Sequence, residues 1–253
     1  MNRYVFLVVC MIASGFGAPL RAEVTYDRTK QGDNDIDVIR LNVTPAAEPV
    51  PSLKHQLLAR AIDLKPGNAV PYYYRAILSL PSMLTEQRKK FDEEKELSNW
   101  YSTGSDATPI GELPLDKVRQ ASQMFDSIYE HQLKPAFERT DCDWELGVGE
   151  LHGPEIIEYL LPEFNSSRDV ARMMALRTRL AIAEHRYEDA ITLIKQQYRL
   201  GTDVAKEPFL VCGLIGTAIE GVADGTLTEL IASRNSPNMY WALTELPQPL
   251  VDL

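Results

Sequence analysis

The stretch between residues 141 and 158 concentrates side chains used in acid–base and metal chemistry. Paired carboxylates beside a histidine could transfer protons or ligate a metal ion. One interpretation is therefore a hydrolase or metal-dependent enzyme. Its polar site would use Asp141, Asp143, His152 and Glu155, with Glu150 and Glu158 close by in sequence.

The same stretch also fits a purely structural interpretation. His152 and Glu155 are separated by Gly and Pro at a predicted helix start, where Glu155 would interact favourably with the helix dipole. No second histidine accompanies His152 at metal-ligand spacing. Asp141 and Asp143 would then hold a turn over a packed Trp144. On this interpretation we expect no catalytic residue, no metal and no cofactor.

A basic stripe follows the first helix of the central stretch. Arg172, Arg179 and Arg186 recur every seven residues, and Arg168 precedes them. With the adjacent Tyr187, they predict a surface that binds an anionic partner, another exported protein or a peptide. The alternative is a solvated face paired with neighbouring carboxylates.

Two further pairs leave alternatives open. Glu220 and Asp224 lie four residues apart on a helix, either as a buried acidic pair or where the helix leaves the core. Cys142 and Cys212 are either bonded or separately buried thiols. A disulfide between them would stabilise the fold by about 4 kcal/mol in the chain-entropy model.

Composition and charge restrict the class of protein. The 253 residues are 45% hydrophobic and 25% charged, which is typical of a globular chain with one sizeable core. A formal charge of −10 argues against general nucleic-acid binding, which requires neutralisation of phosphates. The sequence has no Gly-rich phosphate loop, no Gly-x-Ser-x-Gly and no His-Glu-x-x-His.

The first 22 residues have the layout of a secretory signal peptide. Arg3 precedes an apolar run at 4–17, and small residues lead to a cleavage site after Ala22. We expect an exported protein that is periplasmic, cell-surface or extracellular. The alternative is an uncleaved anchor, the only case in which a membrane is expected as a partner.

The lead-in at 23–51 is predicted to be extended, with one short strand and a Pro-rich end. A single helical domain follows at 52–253. It begins with a helix at 52–64 and a turn at which Asn68 caps the next helix. At least one of the three adjacent tyrosines at 72–74 should lie in the core.

The middle of the chain predicts a charged helix, a loop and a longer helix. Residues 85–100 carry both signs of charge, and 102–114 are rich in Ser, Thr, Gly and Pro. Residues 115–138 have helical spacing, and Pro135 should kink or end that helix.

The helices that position the candidate residues lie at 168–233. The spacing predicts helices at 168–186, from Tyr187 to a stop at Gly201, and at 208–233. Gly213 and Gly216 predict close contact of the third helix with a neighbour. Its apolar run is too short to span a bilayer, which predicts a core helix.

The turn at 183–190 resembles the middle of a tetratricopeptide repeat. Tyr187 and Ala190 match the motif, whereas His185 replaces its turn Gly and the closing Pro is absent. The sequence thus predicts an all-α fold of stacked antiparallel helical hairpins after a short extended lead-in. Grooves between such helices would serve an interaction or scaffold module.

Several short strings together resemble an uncharacterised family of exported, helical bacterial proteins. The resemblance implies fold and export, and it brings no known activity. Proteins similar to this one continue past the last string, so a C-terminal truncation stays open. The strings are KPGNA at 65–69, YYYR at 72–75, CDW at 142–144, LLP at 160–162, RTRLAIAEHRYEDAI at 177–191, NMYWAL at 238–243 and LPQPL at 246–250.

Overall fold

A computed structural model describes most of the chain that follows the predicted signal peptide. The described residues are 23–31, 34–42, 50–52, 54–91, 94–104, 106–145, 155–207, 209–247 and 249–251. Only the backbone is described at 23–31, 34–42, 94–95 and 155–165. The predicted signal peptide at 1–22 lies outside this part of the chain.

The lead-in forms two strands, where the sequence predicted one. β1 (Glu23–Gln31) and β2 (Asn34–Asn42) pair antiparallel, with Glu23 opposite Asn42 and Gln31 opposite Asn34. The first strand was not predicted because polar residues outnumber the β-branched and aromatic residues that favour strands.

The prediction of a helix at 52–64 is wrong. The chain there makes turns and one 3₁₀ helix, Ala61–Asp63, and Ile62 is 85% exposed. The segment must then enter β3 (Lys65–Asn68), which pairs in parallel with β4 (Arg139–Asp141). Helical spacing of the leucines was therefore overridden by strand pairing with a segment about 70 residues later.

The next two helices largely follow the sequence pattern. α1 (Val70–Phe91) begins where predicted, because the Asn68 side chain accepts a hydrogen bond from the N–H of Val70 at 3.1 Å. Tyr73 is the core tyrosine, at 1% exposure. α2 (Glu94–Tyr101) follows.

The helix predicted at 115–138 is broken into several pieces. They are α3 (Leu115–Gln123), a single turn α4 (Asp126–Ile128), a π-helical turn (Tyr129–Leu133) and α5 (Lys134–Phe137). Pro135 has no N–H for the carbonyl of residue 131, so regular α-helical bonding cannot continue through it. The wider π turn lies directly before that position.

Three long helices form the centre of the fold. They are α6 (Glu155–Ala183), α7 (Tyr187–Ala205) and α8 (Leu210–Ala232), and a short α9 (Tyr240–Thr244) follows. α6 packs against both α7 and α8, and its other sides contact α1, α2 and α3. Most of the buried apolar side chains belong to one cluster around these helices.

The turn between α6 and α7 falls at the predicted position. His185 adopts φ +59°, the left-handed conformation that the motif's Gly would favour. The N–H groups of His185 and Arg186 donate to the carbonyls of Ile182 and Ala181 at 2.9 and 2.8 Å. This pair of bonds is a Schellman motif, which ends α6 and lets α7 fold back on it.

Glycines permit close contact between α7 and α8. A Cβ on Gly216 would lie 2.7 Å from the Gly201 carbonyl oxygen and 2.8 Å from the Ala205 Cβ. The close contact predicted for Gly216 is confirmed. The helix stop predicted at Gly201 is wrong, because this glycine lies inside α7 at the crossing point.

α8 is longer than the apolar run that the sequence suggested. By length and composition it is the one helix in the described ranges that could cross a membrane, a property shared with core helices of soluble proteins. Packing against α6 and α7 buries one side of it. The buried residues are Cys212, Gly213, Ile215, Gly216, Ile219, Ala223, Thr226, Leu227 and Leu230.

The prediction of a mainly helical protein is confirmed. The all-α prediction is corrected by the two small sheets, β1–β2 and β3–β4. The described helices do not show a repeated unit, although α6 and α7 form one helical hairpin.

Candidate functional site

The described part of the polar stretch is a turn held by side-chain bonds. The Asn68 amide donates to the Asp143 carbonyl at 2.7 Å, and its oxygen accepts from the Asp143 N–H at 3.1 Å. The Asp143 carboxylate accepts from the Glu145 N–H at 3.0 Å, and the Asp141 carboxylate accepts from the Thr140 hydroxyl. Both aspartate side chains therefore make local hydrogen bonds within the turn.

The other members of the predicted polar site cannot be placed with them. His152 lies outside the described residues, and so does the side chain of Glu155, the first residue of α6. Within the described ranges, no group of three or more His, Cys, Asp and Glu side chains could hold a metal ion.

A buried aspartate joins this turn to the helices. Asp203 on α7 is fully buried and accepts from the Tyr73 hydroxyl at 2.9 Å and from Arg199 Nε at 2.7 Å. Lys206 Nζ lies 3.1 Å from its other carboxylate oxygen. The Asp203 backbone carbonyl accepts from Trp144 Nε1 at 3.0 Å. Burial and the Asp203 charge raise the pKa of Tyr73 well above its ordinary value.

Aromatic packing fixes the position of the turn over α1. The Trp144 ring stacks on the Tyr73 ring with centroids 5.8 Å apart and an interplanar angle of 13°. The Tyr74 ring meets Trp144 edge-on at 5.6 Å. Tyr73 and Trp144 are buried and Tyr74 is partly buried, so these contacts attach the turn to the core.

Cys142 and Cys212 are buried free thiols in this structure, so no disulfide joins them. The Cys142 thiol points to the Asp203 carbonyl at 3.8 Å. Burial raises the pKa of Cys212 to about 11, and burial and the Asp203 charge raise that of Cys142 further. Neither side chain has the thiolate character that nucleophilic chemistry needs.

Arg179 does not belong to the predicted partner-binding surface. It is 0% exposed and pairs with Glu229 on α8 at 2.8 Å. Its Nη groups donate to the carbonyls of Asn99, Trp100 and Thr108. The end of α2 and the loop after it cover this side of α6. The seven-residue spacing of the arginines gives no sign of this burial.

The remaining members of the stripe are at the surface. Arg172 pairs with Asp169 at 2.7 Å, and Arg186 pairs with Glu184 and Asp189. The Tyr187 hydroxyl donates to the Arg234 carbonyl. These contacts agree with a solvated, paired face, and Arg186 also lines a cavity.

That cavity is a half-open groove of about 230 Å³ between α3 and the end of α6. We call it the arginine groove. Three guanidinium groups, those of Arg119, Arg177 and Arg186, line it together with the carboxylates of Asp126 and Glu184. The polar side chains of Ser122 and Gln123 and the apolar Leu180 complete the lining.

The groove already holds one carboxylate between two arginines. Glu184 Oε1 accepts from Arg119 Nε and Nη2 at 3.0 and 2.7 Å. Its Oε2 accepts from Arg186 Nε and Nη2 at 2.9 and 2.8 Å. Although burial raises the pKa of Glu184, the two guanidinium groups more than offset it and lower that pKa below its ordinary value.

Arg177 is the third arginine and is bound differently. Its Nη1 donates to Asp126, and its guanidinium carbon lies 4.3 Å from the centroid of the Tyr129 ring. Its side chain keeps 22% of its surface exposed. The ring and Asp126 hold the group rigidly while part of it faces the groove.

The acidic pair on α8 is neither fully buried nor simply solvated. Glu220 is half-buried at the α7–α8 crossing, and its Oε1 lacks a hydrogen-bond partner among the described residues. Burial and the nearby Asp224 charge raise the pKa of Glu220 to about 7. Asp224 is exposed but accepts from the Tyr198 hydroxyl at 2.6 Å.

Sequence reasoning missed the residues that matter most in the groove and in the core. Leu180 and Glu184 follow Arg177 by three and seven residues at the end of α6 and just beyond it, and this helical spacing was the signal for the groove. For Asp203, the signal was a charged residue on the buried face of α7, one position before Val204.

Comparisons with known proteins identified no relative of this chain. A scan against protein-family models, a search of curated proteins and a search of solved structures each found no match.

Proposed function

We propose that this protein is an exported helical scaffold that binds another exported protein or a peptide. Its helices would act as stacked hairpins of loose tetratricopeptide character, with α6 and α7 as one hairpin. The arginine groove between α3 and α6 is the proposed binding site. This location replaces the basic surface expected from Arg172, Arg179, Arg186 and Tyr187, of which Arg186 alone lines the groove.

The observation that carries the proposal is the groove itself. It is open to solvent, lies between two helices and presents hydrogen-bond donors at fixed positions. Grooves between packed helices are common binding sites for peptides and for helices of other proteins. Side chains already held by neighbouring groups lose little conformational entropy when a partner binds.

The framework around the groove also suits a scaffold. Arg179 ties α6 to α8, to the end of α2 and to the loop after it, and Asp203 ties α7 to α1. Buried charged groups that are paired in this way fix the positions of helices relative to one another. Export is proposed from the signal layout at 1–22.

A crosslinking capture experiment tests the proposal. The chain, tagged at its C-terminus, is expressed in its source cell and recovered from the exported fraction. We expect one partner in near-stoichiometric amount, and a recovered chain that begins at Glu23. Arg177→Glu should abolish capture, because it places a third carboxylate in the groove.

Arg172→Glu is the matched control. It makes the same charge change on the same helix, but Arg172 is exposed and does not line the groove. The proposal requires that this variant still captures the partner. Equal capture by both variants, or no partner at all, would contradict it. Arg179 is unsuitable for this test because its replacement would disturb the core.

A further inference from the structure

We infer that the arginine groove recognises a side-chain carboxylate of an acidic peptide segment. This inference rests on the proposed function and specifies the chemistry of the partner. The groove itself shows how a carboxylate binds there. Glu184 is held from both sides, each oxygen receiving two N–H groups of one guanidinium.

The charges of the lining favour a singly charged group. Three guanidinium groups face two carboxylates, which leaves one formal positive charge in a chain whose net charge is −10. One further carboxylate neutralises this charge. A phosphate group carries about −1.5 to −2 near neutral pH and would leave the groove with excess negative charge beside Asp126 and Glu184.

The acidic residues outside the lining do not cancel this preference. Asp116, Glu130 and Asp189 pair with Arg119, Arg177 and Arg186, but their side chains are 93%, 42% and 60% exposed. Glu130 also pairs with Lys134 at 3.1 Å, which offsets its charge. Water and salt therefore screen their charges strongly. Their main effect is to keep the guanidinium groups in place.

Arg177 is the group best able to receive the ligand. Among the described residues its one hydrogen bond runs from Nη1 to Asp126, and Nη2 makes a longer ion pair with Glu130 Oε1 at 3.7 Å, so N–H groups remain that can donate to a ligand. The hydroxyl of Ser122 and the amide of Gln123 line the groove nearby. A volume of about 230 Å³ suits a side chain. Sites for drug-sized molecules usually span about 300–1,000 Å³.

Binding of defined probes to the purified chain tests the inference. The probes are a blocked hexaglutamate peptide, the matching hexaglutamine peptide and inorganic phosphate, each titrated by calorimetry. We expect saturable binding of hexaglutamate that weakens with salt, and none of hexaglutamine. Phosphate should bind at least about tenfold more weakly than hexaglutamate.

Variants locate the binding to the groove. Arg177→Gln should weaken hexaglutamate binding by about tenfold or more, since it removes a charge-assisted donor. Arg186→Gln, at an exposed position, should weaken it as well and serves if Arg177→Gln fails to fold. Arg172→Gln lowers the net charge equally and should change the affinity by less than about twofold.

Three outcomes would overturn the inference. They are no binding of hexaglutamate, equal weakening by Arg172→Gln and Arg177→Gln, and tighter binding of phosphate than of hexaglutamate. In each case a captured partner that depends on Arg177 would still stand, so failure of the inference is distinguishable from failure of the proposed function.

Discussion

Buried charged side chains hold distant segments of the chain together. Arg179 joins α6 to Glu229 on α8, to two carbonyls at the end of α2 and to one carbonyl of the loop that follows. Burial raises the pKa of Glu229, and the Arg179 charge opposes that rise. Such a pair contributes little net stability compared with apolar residues, but removal of one partner leaves the other charge buried and unpaired.

Arg179→Met should therefore destabilise the protein by about 3–5 kcal/mol. The cost arises from the unpaired Glu229 and from carbonyls that lose their donors. Urea unfolding followed by circular dichroism measures it. Arg172→Met is the control on the same helix and should cost less than about 1 kcal/mol, because that pair is exposed. A similar small cost for Arg179→Met would show that the buried network has no structural importance.

At the scale of single residues, the sequence predicted what local chemistry determines. The Asn68 cap, the buried Tyr73 and the turn at His185 follow from side-chain preferences over a few neighbouring positions. The burial of Arg179 could not be predicted, since it depends on carbonyls about 70 to 80 residues earlier in the chain. The arginine groove was missed for the same reason, because three of its lining residues lie on α3 and a fourth lies on α4.

At the scale of elements, the α7–α8 contact depends on residues without a side chain at the crossing. Gly216→Ala should destabilise the protein by about 1–3 kcal/mol, although Ala favours a helix. The added methyl would lie 2.7 Å from the Gly201 carbonyl oxygen, and backbone on both sides limits relaxation. Chemical denaturation gives the change in the free energy of unfolding.

Gly221→Ala is the matched control in the same helix. A Cβ at Gly221 would have no neighbouring atom within 4 Å in the described part of the chain, apart from its own helix backbone. The change should therefore stabilise the protein by up to about 1 kcal/mol. If Gly216→Ala also stabilises, the close approach of α7 and α8 is not a determinant of this fold.

Glu220 gives the same crossing a dependence on pH. Its folded-state pKa is about 7, above the ordinary value of 4.5, so the folded protein retains a proton that the unfolded chain has released. The free energy of unfolding should therefore fall as pH rises from about 4.5 to 7. Above pH 7 the full penalty of the buried charge is present.

Glu220→Gln removes the titrating group and should flatten this part of the pH profile. At pH 8 the variant should be more stable than the original protein by about 1–2 kcal/mol, after allowance for partial exposure. Thermal or urea unfolding at several pH values measures the difference. An unchanged slope between pH 4.5 and 7 would assign the pH dependence to other groups.

Element boundaries show where pattern reasoning fails. The helical spacing at 52–64 did not produce a helix, because this segment leads into β3 and the pairing partner of β3 lies far along the chain. Gly201 was interpreted as a stop, whereas α7 continues through it because the neighbouring helix needs its small size. Both errors have one cause: tertiary contacts override local preference.

At the scale of the whole molecule, α6 connects the core to the proposed binding site. One side of this helix packs on α7 and α8, its C-terminal half supplies Arg177 and Leu180 to the groove, and Glu184 directly follows it. A site on a long, well-packed helix keeps its geometry when a partner binds. The proposed binding site is therefore built on side chains whose positions are fixed by the packing of α6.

Photo-crosslinking from inside the groove tests this account most directly. A photo-reactive amino acid replaces Gln123, which is exposed and lines the groove, and Thr192 on α7 serves as the exposed control outside it. In exported material, we predict that position 123 captures one partner and that position 192 does not. Capture of the same partner from position 192 alone, or none from position 123, would contradict the proposed binding site.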